Sequence, residues 1–192
     1  MEGVTSIMIS GVGGQGSLLA SKLLGAVLLS QGFDVKVSEI HGMSQRGGNV
    51  VTYVKFGKKV YSPIVDMGEA DYIISFERIE AARWLSFLKK DGVIVMNDQR
   101  ISPMPVITGA MEYPEDVTEK MRSKGAKVVA IDAHSMASEA GSAKAVNIVL
   151  MGVLSTLMDI PREIWLEEME KAVPERFLEL NKKAFALGEK FK

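Results

Sequence analysis

Cysteine is absent from this 192-residue chain. That single absence removes disulfide frameworks, Cys-based zinc sites, a thiol nucleophile and any iron–sulfur cluster ligated by the chain's own thiolates. Histidine is scarce: His41 and His134 are the two imidazoles, too few for a His-rich metal centre. A surplus of one charge is missing as well. The 23 Lys+Arg and 24 Asp+Glu leave a net charge of -1, which argues against a broad basic field for nucleic acid. Long hydrophobic runs are also lacking. The longest apolar stretch, residues 145–158, is interrupted by Asn147, Ser155 and Thr156 and falls short of the roughly 20 residues of a membrane helix. Residues 1–10 lack the basic start and long apolar core of a secretory signal. The expectation is a soluble, cytoplasmic protein that binds neither nucleic acid nor membrane.

What is present is a composition that folds, with 47% hydrophobic and 24% charged residues. Its length suits one domain spanning residues 1–192. The period of the apolar residues alternates between strand and helix. Ser6-Ile7-Met8-Ile9-Ser10 reads as a buried strand, and Leu18, Leu19, Leu23, Ala26 and Val27 recur at helical spacing over 16–31. Residues 33–40 read as a second strand. Residues 50–56 and 60–61, separated by Gly57-Lys58-Lys59, read as a β-hairpin. A second strand–helix–strand pattern follows at 71–76, 77–88 and 92–96. Pro103, Pro105 and Pro114 suggest an extended connection over 98–115. A short helix at 114–123 and a strand at 127–131 precede a helical C-terminus. The predicted architecture is α/β: a single Rossmann-like domain whose mostly parallel sheet carries helices on both faces.

Gly11-Val12-Gly13-Gly14-Gln15-Gly16 satisfies G-x-G-x-x-G between a strand and a helix, the context that a dinucleotide fingerprint requires. Glycines there allow a sharp turn, and the free N–H groups at the helix start attract phosphate. Glu39 stands near the position of a ribose-binding acid. Two readings stay open: phosphate or diphosphate binding, and tight strand–helix packing alone. The second cluster is His41-Gly42-Met43-Ser44-Gln45-Arg46-Gly47-Gly48-Asn49. After the second strand it falls on the carboxyl edge of the sheet, where open α/β folds bind ligands. An imidazole, a hydroxyl, two amides and a guanidinium among glycines suit an anion or a partner's backbone. The alternative is a solvated loop in which Arg46 and His41 cap a helix or pair with Glu39.

These residues resemble a known family. Gly13-Gly14-Gln15-Gly16 and Glu39-Ile40-His41-Gly42-Met43-Ser44-Gln45-Arg46-Gly47-Gly48 are similar to the γ-type domain of 2-oxoacid:ferredoxin oxidoreductases. The His-Gly-Met-x-Gln-Arg-Gly-Gly form resembles the indolepyruvate branch most. Ala70-Asp71, Phe76-Glu77, Glu80-Ala81, Asp132-Ala133, Ala145-Val146-Asn147 and Leu150-Met151-Gly152 extend the resemblance to about residue 160. One departure is Gly141-Ser142, where the family pattern has Gly-Asn.

The resemblance implies a non-autonomous subunit of an enzyme that oxidatively decarboxylates 2-oxoacids with CoA. A large α subunit would carry thiamine diphosphate, Mg2+ and iron–sulfur clusters and pass electrons to ferredoxin, while this chain binds no cofactor alone. On that basis Gly11, Gly13, Gly14, Gln15, Gly16, Arg46, Gly47 and Gly48 form an anion-receptive edge, with His41, Met43, Ser44 and Gln45 facing partner or substrate. No residue is assigned a catalytic or metal-ligating role. Alternatives are the γ subunit of a pyruvate, branched-chain 2-oxoacid or 2-oxoglutarate enzyme, and a free-standing nucleotide-binding protein. Elsewhere, Asn147 reads as a structural amide reaching a glycine-loop carbonyl, His134 as a residue that caps or packs at a helix start, and Asp66, Glu69 and Asp71 as a solvated acidic turn.

Overall fold

Ile7, Met8 and Ile9 are all fully buried because β1 (Thr5–Val12) lies inside a sheet covered on both faces; an uninterrupted apolar run suits such a strand. The computed structural model describes residues 3–13, 15–42 and 48–191, with the backbone alone at position 41. Within these, β2 (Asp34–His41), β3 (Asn49–Gly57), β4 (Ala70–Ser75), β5 (Leu88–Asn97) and β6 (Lys127–Ile131) complete a six-stranded sheet ordered β2-β3-β1-β4-β5-β6. Pairs β1–β4, β4–β5 and β5–β6 are parallel. Strand β3 is antiparallel to both β1 and β2, so it alone runs against the rest.

Alternation along the strands sends side chains to two cores. Ile7, Ile9, Val54, Ile74 and Val95 pack beneath α1 (Ser17–Ser30), α5 (Ala133–Ala140), α6 (Val146–Ser155), α7 (Arg162–Ala172) and α8 (Glu175–Glu189). Met8, Val51, Tyr53, Ile73, Ile94 and Met96 form the opposite core under α2 (Arg78–Arg83) and α4 (Val117–Ser123). The predicted α/β architecture, its mostly parallel sheet and its helical C-terminus are all present.

Four local expectations are corrected. The hairpin lies one strand earlier than 50–62: β3 pairs with β2 and β1, so no free edge remains for residues 60–61. The Val60 N–H donates instead to Asp34 Oδ2 at 2.9 Å. The connection over 98–115 is not wholly extended, because Met104–Ile107 forms a single helical turn, α3. Its prolines occupy the N-cap and first turn, where a missing N–H costs nothing. Helix α2 stops at Arg83, and a 3-10 turn at Leu85–Phe87 leads directly into β5. The acidic residues 66–71 do more than face solvent. Glu69 and the Ile64 carbonyl accept from the buried Lys55 ammonium at 2.6 and 2.9 Å, and Asp71 accepts from the Ser6 N–H and the Lys89 ammonium, each at 2.9 Å.

Helices α6 and α8 cross through two glycines. A Cβ on Gly152 would stand 2.2 Å from the Phe185 carbonyl oxygen, and one on Gly188 would stand 2.1 Å from that of Val149. Both obstacles are backbone, so the helices would have to separate. Gly152→Ala or Gly188→Ala is expected to cost about 3 kcal/mol in urea unfolding, the upper end of overpacking penalties. Gly25, inside α1 with nothing within 4 Å of an added Cβ, gives the opposite result: Gly25→Ala is expected to stabilise by about 0.5–1 kcal/mol.

Candidate functional site at the carboxyl edge

The carboxyl ends of β1 and β2 deliver two chain reversals to one edge of the sheet. At the end of β1 the backbone turns over Gly11, where a Cβ would meet Gln15 Oε1 at 2.8 Å and the Phe76 ring at 3.2 Å. Gln15 folds back so that its Oε1 accepts the Val12 N–H at 2.7 Å. The amide flagged as a ligand contact therefore shapes the turn. Gly16 caps α1 at φ 91°, with no side-chain cap and no acidic residue in the first turn. The N-terminal amides of α1 thus keep the partial positive charge of a helix start.

The second cluster meets this turn directly. The Gly13 N–H donates to the Gly48 carbonyl at 3.0 Å, and the Gly42 N–H donates to the Asn49 carbonyl at 3.0 Å. His41 ends β2 opposite Val50. Gly11, Gly13, Gln15, Gly16 and Gly48 therefore share one rim, as the sequence suggested. Gly14, Met43, Ser44, Gln45, Arg46 and Gly47 lie outside the described residues.

Glu39 does not join the rim. It sits on β2 opposite Thr52, whose hydroxyl donates to Glu39 Oε2 at 3.1 Å. Strand β3 stands between it and β1, a separation of roughly 10 Å at normal strand spacing. A dinucleotide fold needs that acid on the strand beside the glycine turn. The sheet order removes that element of the fingerprint.

Asn147 does what its position suggested. It is buried, its Nδ2 donates to the Gly16 carbonyl at 3.2 Å, and its Oδ1 accepts the Ile148 N–H at 3.0 Å. The same residue forbids a side chain at position 16, where a Cβ would stand 2.7 Å from Nδ2. Beside it opens a cavity of about 490 Å³ bordered by Gln15, Gly16, Gln99, His134, Lys144 and Asn147. His134 is exposed in the first turn of α5, and Asp132 supplies the cap by accepting the Ser135 N–H at 2.9 Å. Hydrogen bonding from Ser135, its side chain first and this N–H second, holds the Asp132 carboxyl below its usual value. Ser142 caps the short 3-10 turn after α5, its Oγ accepting the Lys144 N–H at 3.3 Å.

On the other side of the rim lies a groove of about 600 Å³, lined by Val12, Gly48 and Asn49 together with α2 and the start of α3. Its polar floor was not singled out from sequence. Glu77 caps α2 through Oε2, which accepts the Glu80 N–H at 3.0 Å; Oε1 accepts the Tyr113 hydroxyl at 2.7 Å and the Ile101 N–H at 3.2 Å. Asn97 accepts the Ala133 N–H and donates to the Phe76 carbonyl, tying β5 to α5 and β4. An acid just before a helix and an amide at a strand end are the signals that could have found them.

A family model for pyruvate ferredoxin/flavodoxin oxidoreductase matches residues 6–191. The chain belongs to this family. Among its members, indolepyruvate oxidoreductase subunit IorB of Thermococcus kodakarensis is 43% identical over 190 residues, covering 96% of this chain and 94% of that one. IorB of Pyrococcus horikoshii is 42% identical over the same shares. The common γ subunit of the pyruvate/ketoisovalerate oxidoreductases of T. kodakarensis is 23% identical, covering 96% of this chain and 89% of its own. Two solved structures share the family fold. The γ subunit of a keto/oxoacid ferredoxin oxidoreductase from Geobacter sulfurreducens matches with TM-score 0.71 at 23% identity, covering 96% of this chain and 95% of that one. The 2-oxoglutarate:ferredoxin oxidoreductase from Magnetococcus marinus, solved with 2-oxoglutarate, coenzyme A and succinyl-CoA, matches with TM-score 0.74 at 21% identity. The match covers 98% of this chain but 31% of that one, so the family fold also occurs inside a much longer polypeptide.

The donors here do not fit an iron–sulfur cluster. Iron–sulfur clusters require thiolates, and the chain has no cysteine. Among the described residues no three His, Asp or Glu side chains are grouped to hold a metal ion, and no helix is long and apolar enough to cross a membrane.

Two variants test the site's framework. Asn147→Ala leaves the Ile148 N–H without its acceptor and should cost about 1–3 kcal/mol in urea unfolding. Burial first, and the hydrogen bond to Glu77 second, push the Tyr113 phenol above its ordinary value of 10.0. The folded protein therefore holds that proton more tightly than the unfolded chain. The resulting stability is complete below about pH 10 and is lost as pH rises beyond it. From pH 8 to pH 11, the urea midpoint of the wild type is expected to fall further than that of Tyr113→Phe.

Proposed function

We propose that this chain is the small subunit of an indolepyruvate-type (arylpyruvate) 2-oxoacid:ferredoxin oxidoreductase, inactive alone and located in the cytoplasm. The observation that carries the reading is 43% identity to an IorB subunit along 96% of the chain, against 23% to a pyruvate/ketoisovalerate γ subunit of the same organism. The lack of thiols supports the division of labour. Thiamine diphosphate, Mg2+ and iron–sulfur clusters belong on a large partner subunit, which passes electrons to ferredoxin.

This chain's part is to present the rim of the sheet to that partner and to CoA. The glycine turn leads into the positive end of α1, whose first-turn N–H groups have no side-chain cap and suit an anionic phosphate. Arg46 with Gly47-Gly48 supplies a guanidinium for the same anion. His41, Met43, Ser44 and Gln45 are the proposed contacts to partner or substrate. The glycine turn is a less suitable dinucleotide site, because Gln15 already occupies the Val12 N–H and Glu39 is two strands from β1.

Co-expression with the large subunit, followed by an arylpyruvate- and CoA-dependent dye-reduction assay, tests the reading. The complex is expected to turn over and the isolated chain to be silent; turnover by the isolated chain overturns the assignment. Arg46→Ala is expected to raise the KM for CoA about tenfold, equivalent to about 1.4 kcal/mol. Unchanged KM and kcat would remove Arg46 from the site.

A further inference from the structure

The groove beside the rim holds one carboxylate whose hydrogen bonding is half complete. Glu80 is 4% exposed. Its Oε1 accepts from Arg83 Nε at 3.0 Å, whereas its Oε2 is closed to solvent and has no hydrogen-bond donor. Buried acceptors are rarely left this way, and each such atom calls for an explanation. Neighbouring Glu77 offers no relief, because both of its oxygens already accept neutral donors. Among the described residues, the ionisable ones lining the groove are Glu77, Glu80 and Arg83, two carboxylates against one guanidinium. The excess charge is negative, and the complement is a cation.

The lip of the same groove is apolar and open. Met104 is 68% and Ile107 66% exposed on α3, and both line it together with Ile79, Ile101 and Pro103. Met111, just beyond α3, is 64% exposed. An exposed apolar lip around a buried, incompletely paired charge has the anatomy of a protein-binding hot spot. The groove is also continuous with the rim already considered, since Val12, Gly48 and Asn49 form its inner wall.

We infer that this groove receives an Arg or Lys side chain carried on an apolar segment of the large partner subunit, with Glu80 as its counter-ion. The inference rests on the proposed subunit role and adds the surface through which the subunit docks. Arg83 stays bound to Glu80 Oε1, while Oε2, closed to solvent in the free chain, becomes reachable as the carboxyl shifts toward the incoming cation on docking. Met104 and Ile107 close over its aliphatic stem, and unbranched methionine adapts readily to such a surface.

The dissociation constant of the reconstituted complex tests this, with the melting temperature of each isolated variant recorded beside it. Ile107→Glu leaves the fold intact because the side chain is solvent-exposed, and it is expected to weaken assembly at least about tenfold, a hot-spot loss. Glu80→Gln keeps the volume and removes the charge, with a similar loss expected. Met67→Glu is the control. Met67 is 75% exposed in the connection from β3 to β4, at the opposite edge of the sheet, and assembly should stay within about twofold of wild type, as for neutral surface contacts. A benzoylphenylalanine at position 107 should crosslink to the large subunit. Wild-type assembly that Ile107→Glu and Glu80→Gln leave unchanged overturns the groove alone. A wild-type chain that does not bind the large subunit overturns both the groove and the subunit assignment. Self-association of the isolated chain that Ile107→Glu abolishes would assign the surface to a second copy and overturn the inference.

Discussion

Strand β3 occupies the place beside β1, and the consequences reach every functional feature of the molecule. Because β3 runs antiparallel to β1, Asn49 lies opposite Val12, and the residue before it, Gly48, is held against the glycine turn by the Gly13 amide. The same insertion moves β2 to the outside of the sheet and takes Glu39 with it. A sequence that satisfies a dinucleotide fingerprint letter by letter thereby becomes a rim built from two chain reversals.

Support for that rim comes from below and is mostly polar. Asn147, Asn97 and Glu77 are each buried and each joins segments distant in sequence: Asn147 the glycine turn to α6, Asn97 the end of β5 to α5, Glu77 the start of α2 to the 98–115 connection. Buried polar groups of this kind are costly unless satisfied, and once satisfied they specify one arrangement. Glu80 departs from this pattern. One of its oxygens is buried without a donor, in a residue that lines a groove opening toward solvent between apolar side chains. On the proposed reading, a chain without thiols in a family of redox enzymes takes its redox centres from a partner, and an incompletely paired carboxylate beside an exposed apolar lip is where that partner would dock.

Much of this was legible from residues alone where the cause is local. The apolar run Ile7-Met8-Ile9 announced a buried strand, and residues 127–131 form β6 as expected. Asn147, a lone amide ahead of an apolar stripe, announced its contact with the glycine turn. What escaped notice has non-local causes. The partner of β3 depends on which edges are free, and residues 60–61 lost the hairpin because Asp34, 26 residues away, takes the Val60 amide. The acids at 66–71 looked solvated because their partners, Lys55 and Lys89, lie on other strands. Pro105 argued against a helix, yet first-turn prolines fit α3. Glu77 and Glu80 showed only as family matches, since nothing in their neighbours reveals Tyr113 or a groove.

Hydrogen exchange on the chain alone and in complex with its large subunit tests the central claim most directly, because it reads each edge of the sheet separately. Amides of the glycine turn, the start of β3 and the 98–112 connection are expected to gain protection together on assembly, while those of residues 58–69 at the far edge stay unchanged. Protection confined to residues 58–69, with the glycine turn exchanging as fast as in the free chain, would contradict it.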